Sequence, residues 1–224
     1  MHTPKRLTLF AGHYGSGKTN IALNYARSLH RDQRLPVTIA DLDIVNPYFR
    51  SRERRPLLEK AGVRVISSSQ ACSDADVPAL PAELLTILEN REIRGILDIG
   101  GDPVGARVLA RFQPKIVQED YQLIFVLNAN RPEVRDAESA AAYLRSIEAV
   151  TGLTCSGLVN NTHLCGETTP AEIRKGAALA QEVSRQTGIP ILCHTAERRF
   201  LESLSDLGEP VFPIAINMKK PWER

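Results

Sequence analysis

No stretch of this 224-residue chain approaches the ~20 consecutive apolar residues that a membrane-spanning helix needs. The apolar part of the N-terminal "MHTPKRLTLFAG" is also too short for a signal peptide, so a cytoplasmic protein is expected. A field of one sign is missing as well: 28 Lys and Arg stand against 26 Asp and Glu, a formal net charge of +2. That balance gives no footprint for a dedicated nucleic-acid binder. The four cysteines, Cys72, Cys155, Cys165 and Cys193, show neither CxxC spacing nor the density of a secreted disulfide scaffold, and read as free thiols. Repeats and low-complexity tracts are absent too.

What is present is a regular alternation. With 43% hydrophobic and 24% charged residues, the chain fits one α/β domain over residues 1–224. Strands are expected at 6–11, 37–42, 63–67, 95–99, 122–128, 156–161 and 190–194, short runs whose nearly continuous apolar character suits strands covered on both faces. Between them, apolar residues recur at helical spacing: Ile21, Tyr25 and Leu29; Val134, Ala137, Ala141 and Leu144; Ile173, Ala177, Ala180 and Val183. Thr169 can cap the third of these helices, with Pro170 in its first position. The pattern predicts a doubly wound, mainly parallel seven-stranded sheet with helices on both faces, of Rossmann-like type. Residues 67–83, aperiodic and with two prolines, read as a long loop.

After the first strand comes "GHYGSGKTN", which fits GxxxxGK[ST] at Gly12, Gly17, Lys18 and Thr19, between a predicted strand and a predicted helix. Glycines at 12, 15 and 17 let the backbone adopt positive φ and bring N–H groups within reach of phosphate oxygens. The following helix adds its positive N-terminal end. Gly12, Gly15, Ser16, Gly17, Lys18, Thr19 and Asn20 are therefore the candidate nucleotide-binding residues of a P-loop NTPase. Lys18 would serve the β- and γ-phosphates, and Thr19 would offer its hydroxyl to Mg²⁺.

Ligands of open α/β sheets bind beyond the carboxyl ends of the strands. Strand two ends in "ADLDIVNPYFRSRE", which places Asp41 and Asp43 where a metal-bound or attacking water could be held. Strand four ends in "LDIGGD", a DxxG arrangement in which Asp98 can reach the metal shell and Gly101 can offer its N–H to a γ-phosphate.

Taken in order, the glycine loop, the DxD, the DxxG and the amide in "GLVNNT" resemble the MinD/ParA/CobQ-like group of P-loop ATPases, the SIMIBI class, over residues 5–200. The form "DLDIVNPYFRSRE" is similar to that of a subgroup of bacterial and archaeal ATP-binding proteins. The resemblance implies ATP and Mg²⁺ as cofactors. It also implies catalytic roles for Lys18, Asp43 and Asp98, with Asp43 orienting the water, and a metal shell drawn from Thr19, Asp43 and Asp98. Asn161, or the adjacent Asn160, would contact adenine, with residues 193–196 flanking the base.

Two positions depart from the group. Members that close as a dimer around ATP carry a second lysine just after the first glycine of the loop, and here that position is His13. A histidine is shorter and carries no fixed charge, so a homodimer stays an open alternative with weak support. The segment "INMKKPWER" is short and interrupted by Pro221, so the amphipathic membrane helix of MinD is not expected.

Arg50, Arg52, Arg54 and Arg55 follow the first expected switch segment and read either as a solvated helix start or as contacts to phosphate or a partner. His163, Cys165, Cys193 and His194 have donor types suited to Zn²⁺ or Ni²⁺, but their spacing does not support a site. The leading expectation is a slow ATPase that switches a protein partner through segments 43–55 and 98–105. One alternative is an ATP-dependent ligase resembling dethiobiotin synthetase or the cobyrinate amidases. The other is a metal-insertion GTPase, against which "NNTH" lacks the lysine and aspartate of NKxD.

Overall fold

Side chains on successive strand residues point to opposite faces of a sheet, and the central strands here are apolar on both. The computed structural model describes residues 4–32, 34–42, 55–60, 62–67 and 82–216. Their elements are β1 Leu7–Ala11, α1 Lys18–Arg31, β2 Val37–Asp41, α2 Arg55–Lys60, β3 Arg64–Ser67, α3 Ala82–Glu89, β4 Arg94–Asp98, α4 Pro103–Ala106, α5 Gln113–Ile116, β5 Tyr121–Leu127, α6 Ala137–Thr151, β6 Cys155–Asn160, α7 Pro170–Thr187, β7 Ile191–Glu197 and β8 Val211–Ile214. Along β1, Leu7, Leu9 and Ala11 join Leu123, Phe125 and Leu127 in a core under α3, α6 and α7. Phe10 turns the other way, to Ile96, Ile124 and Val126 under α1 and α2. Each fully buried Leu, Ile or Phe contributes roughly 1.5–3 kcal/mol of transfer free energy, so both faces of the sheet are held by burial.

The sheet order is β3-β2-β4-β1-β5-β6-β7-β8, and every neighbouring pair is parallel. The doubly wound parallel architecture is as expected, but the described residues form eight strands and not seven. The additional strand, β8, lines up with β7 through His194↔Val211 to Glu197↔Ile214. Its four residues include Pro213, a donor-less residue that an edge strand can accommodate and a central one cannot. Two helices are capped as their sequences dictate: Asp136 Oδ1 accepts the Ser139 N–H at 2.8 Å before α6, and Thr169 accepts the Glu172 N–H at 3.4 Å before α7. The first cap starts α6 at Ala137, so Val134 sits in a preceding 3₁₀ turn rather than in the helix.

Strand order reverses around β1, where β2 and β3 lie on the β4 side and β5 to β8 on the other. The crevice beyond the carboxyl ends of β4, β1, β5 and β6 is the expected ligand position. Asp43, Arg50, Arg52, Arg54, Cys72 and residues 68–81 lie outside the described residues. The two ends of the stretch read as a loop, Ser67 and 82–83, belong to β3 and α3. Among the described residues no helix is long and apolar enough to cross a membrane.

Candidate nucleotide-phosphate site

The turn from β1 into α1 is built on left-handed or extended-positive backbone: φ is 147° at Gly12, 74° at Gly15 and 83° at Gly17. Space is as restrictive as conformation, because a Cβ at Gly12 would lie 2.5 Å from the Val126 carbonyl oxygen. Inside the turn, the Ser16 N–H donates to the His13 carbonyl at 3.0 Å. From outside, three side chains hold successive carbonyls. Gly15 O accepts from Arg131 Nε at 2.9 Å and from Asn128 Nδ2 at 3.2 Å, and Ser16 O accepts from Asn161 Nδ2 at 2.7 Å. In a trans peptide the C=O and N–H point in opposite directions. Fixing Ser16 O outward therefore aims the Gly17 N–H inward, toward the concave side of the loop. The first N–H groups of α1 follow it with no intrahelical partner of their own, and together they form an anion cradle. Lys18 and Thr19 open α1 and are both buried.

The acidic side is set by register. Asp41 and Asp98 are paired positions on β2 and β4. Alternation puts both on the face that Ile39 and Ile96 share, the face covered by α1. Both carboxylates are buried. Thr19 stands in the first turn of α1, and its hydroxyl and the two carboxylates are hard oxygen donors of the type that suits Mg²⁺.

Beyond β4, Gly101 touches the glycine loop: a Cβ there would lie 3.0 Å from Lys18 Nζ and 3.0 Å from the Tyr14 backbone. Its carbonyl accepts a 2.6 Å hydrogen bond from the Tyr143 hydroxyl on α6. Burial, and then the nearby Asp102 and Glu133 carboxylates, push that phenol up to about 12, so it remains a donor at neutral pH. The His13 ring meets the Tyr143 ring edge-on, with centroids 5.1 Å apart. His13 Nδ1 lies 2.9 Å from Tyr14 O and 3.6 Å from Glu133.

At the carboxyl end of β6 the two asparagines are structural. Asn160 is fully buried. Its Nδ2 donates to Ile173 O at 2.9 Å and to His194 Nδ1 at 3.1 Å, while its Oδ1 accepts the Thr162 N–H at 3.0 Å. These bonds turn the Asn160 amide toward Ile173, His194 and Thr162 inside the protein. Asn161 Nδ2 goes to the glycine loop and its Oδ1 accepts from the Thr195 hydroxyl, so it braces the loop from below. Cys193 and Ala196, expected beside a base, are buried in β7.

The four soft donors do not gather. Asn160 presents a donor to His194 Nδ1, so the His194 proton sits on Nε2 and is donated to Glu209 at 3.0 Å. His163 lies on the loop side, its Nε2 3.0 Å from where a Gly17 Cβ would be. Its Nδ1 accepts the Cys165 N–H at 3.3 Å, and its Nε2 finds no hydrogen-bond partner among the described residues. Burial, helped by the Arg131 charge, pushes its imidazole down to about 4. Among the described residues no group of three or more His, Cys, Asp and Glu could hold a metal.

Sequence reasoning missed Asn128, Arg131 and Tyr143. The first two were within its reach, since "NANRPE" ends β5, the strand beside β1, and the weight given to the other strand ends applies equally there.

Sheet order and glycine loop together match the α/β fold of P-loop NTPases. No family model matches the chain, and no curated protein matches it. Solved structures do. Cell division protein FtsY of Thermotoga maritima is 20% identical over 88% of this chain and 63% of its own, with a TM-score of 0.58. The signal recognition particle receptor FtsY of Elizabethkingia anophelis, in complex with GDP, is 15% identical over 87% and 58%, with a TM-score of 0.56. The signal recognition particle 54 kDa protein of Aeropyrum pernix, also with GDP, is 23% identical over 85% and 41%, with a TM-score of 0.55. The chain thus spans between two fifths and two thirds of these proteins, and the likeness is one of fold.

Proposed function

We propose that this chain is a Mg·ATP-binding nucleoside triphosphatase of the MinD/ParA-like kind, acting as a nucleotide-dependent conformational switch on a protein partner. The observation that carries the reading is the approach of Gly101 to Lys18, 3.0 Å from the ammonium to a Cβ at 101. The ammonium that would hold the β- and γ-phosphates thus adjoins the glycine three residues past buried Asp98, whose N–H would meet the γ-phosphate. Loss of that phosphate removes a contact from the segment after β4, which converts hydrolysis into conformation. Lys18 and the inward N–H groups neutralise phosphate charge, while Thr19, Asp41 and Asp98 would hold the metal. Bound Mg²⁺ supplies positive charge between the β- and γ-phosphates. Asp43 is the proposed water-orienting carboxylate.

Adenine is preferred in this reading because guanine presents N1–H and N2–H donors that call for a carboxylate. The residues following Asn161 are Thr162, His163 and Leu164, none of them acidic. GDP in two of the structural neighbours favours guanine as the second reading. Calorimetry with Mg·ATP and Mg·GTP decides. Wild-type protein should bind ATP, and Lys18→Ala should weaken it on the order of a hundredfold through lost charge-assisted bonds. No heat with either nucleotide overturns the function, whereas tighter GTP replaces only the base. The same partners retained by Asp43→Ala protein in ATP and in ADP would remove the switch.

A further inference from the structure

Tyr143 belongs to α6, makes no hydrogen bond to a glycine-loop carbonyl among the described residues, and lies outside every motif in the sequence. Yet its hydroxyl makes a 2.6 Å hydrogen bond to Gly101, the residue that adjoins Lys18 Nζ. We propose that Tyr143 is a positioning residue for triphosphate recognition, holding Gly101 beside Lys18 where its N–H meets a γ-phosphate. The inference rests on the nucleotide-binding reading given above and names the residue that makes it sensitive to the third phosphate.

Three features carry it. Glycine at 101 has two soft backbone dihedrals and no Cβ, so without an outside tie its amide would sample many directions. The Gly101 carbonyl belongs to the peptide that runs into Asp102, so the bond fixes that peptide together with the Gly101 Cα from which the N–H is carried. Second, the phenol is itself immobilised: its ring packs edge-on against His13 at 5.1 Å and tilted against Phe125 at 6.2 Å. Third, the far side of Gly101 is closed by Lys18 Nζ and Tyr14, so the segment is clamped between α6 and the loop. Asp102 extends the clamp, since its Oδ1 accepts the Gly105 N–H at 2.8 Å and caps α4. The short bond places Gly101 beside the ammonium before any ligand arrives, so the γ-phosphate meets a donor that needs no ordering, and the entropy cost of ordering falls.

The proposal gives Gly101 a contact with the γ-phosphate alone, and that makes it separable from general effects on the site. Tyr143→Phe keeps the ring and its packing and deletes only the hydroxyl. Titration with a non-hydrolysable Mg·ATP analogue and with Mg·ADP should show the analogue weakened about three- to tenfold, the worth of one hydrogen bond, and ADP unchanged within about twofold. Retained ADP affinity also reports that the variant is folded. Amide exchange of Gly101 and Asp102 gives a second readout: the analogue should protect them in wild type and less so in Tyr143→Phe. Equal weakening of both nucleotides, or no weakening of either, overturns the role of Tyr143 and leaves nucleotide binding standing. If the wild-type protein binds neither nucleotide, the function itself falls and this inference falls with it.

Discussion

The loop after β1 and the loop after β4 face the same proposed phosphate chain and are held in opposite ways. Two consecutive carbonyls of the first accept from three side chains, Asn128, Arg131 and Asn161, carried on the ends of two neighbouring strands. Among the described residues, Gly101 in the second accepts one side-chain hydrogen bond, from the Tyr143 phenol on a helix. A seat fixed by several converging bonds changes little when ligand leaves. A contact on one bond can be made or lost at a cost of about 1 kcal/mol, which lies within reach of a single phosphate interaction. Under the proposed function the first loop would bind and the second would sense.

The largest test of that contrast is Asn161→Ala. The substitution strips the Ser16 carbonyl of its Asn161 donor and the Thr195 hydroxyl of its closer partner, leaving the latter, among the described residues, only Asn160 O at 3.4 Å, and opens a cavity at a buried position. About 3 to 4 kcal/mol of stability should be lost in chemical denaturation. Because the Gly17 N–H is no longer aimed, ATP and ADP affinity should fall together by on the order of thirtyfold or more. A variant that loses ATP but keeps ADP would place sensing in the first loop and break the comparison.

Next in size is a pH effect confined to the seat. His163 takes up a proton near its ordinary 6.5 in the unfolded chain but only near about 4 in the folded one, because it is buried and lies near the Arg131 charge. Between those values the unfolded state holds more protons. Stability is therefore complete above about pH 6.5 and declines as pH falls through about 4, by up to about 3 kcal/mol from this group. His163→Gln should flatten that decline in denaturation series at pH 7.5, 5.5 and 4.5. The same slope in both proteins would mean that the imidazole is not the group responsible.

How much of this was readable in the chain depends on the range of the interaction. The three glycines with positive φ, the start of α1 at Lys18 and the buried Asp98 at the end of β4 follow from local patterns, because turn chemistry and strand alternation act over a few residues. The parallel sheet follows from the same short apolar runs. What escaped is long-range or locally unfavourable. Arg131 and Gly15 are 116 positions apart, and Tyr143 and Gly101 are 42 apart. Neither pair leaves a periodic trace. β8 carries a proline and none of its residues is fully buried, so nothing in it resembles the strands of the centre. Asn160 looked available because an amide at a strand end usually faces the crevice, whereas here α7 comes close enough for the Ile173 carbonyl to accept its Nδ2 donation.

The smallest expected effect tests the comparison most finely. Arg131 reaches Gly15 O through Nε, the inner nitrogen of a planar fork, and the guanidinium lies so close that a Cβ at Gly15 would fall 2.6 Å from its central carbon. Arg131→Lys preserves the positive charge, and with it the repulsion felt by His163, but a lysine has no donor at that point of the stem. Asn128 Nδ2 remains on the same carbonyl at 3.2 Å, so the peptide is loosened and not released. Affinity should fall about three- to tenfold, by the same factor for ATP and for ADP, since both use the seat, and the pH dependence of stability should not move. Tyr143→Phe should divide the two nucleotides where Arg131→Lys does not. If Arg131→Lys divided them as well, the guanidinium would lie on the γ-phosphate side of the loop, and the division of labour between a fixed seat and a single-bond sensor would have to be given up.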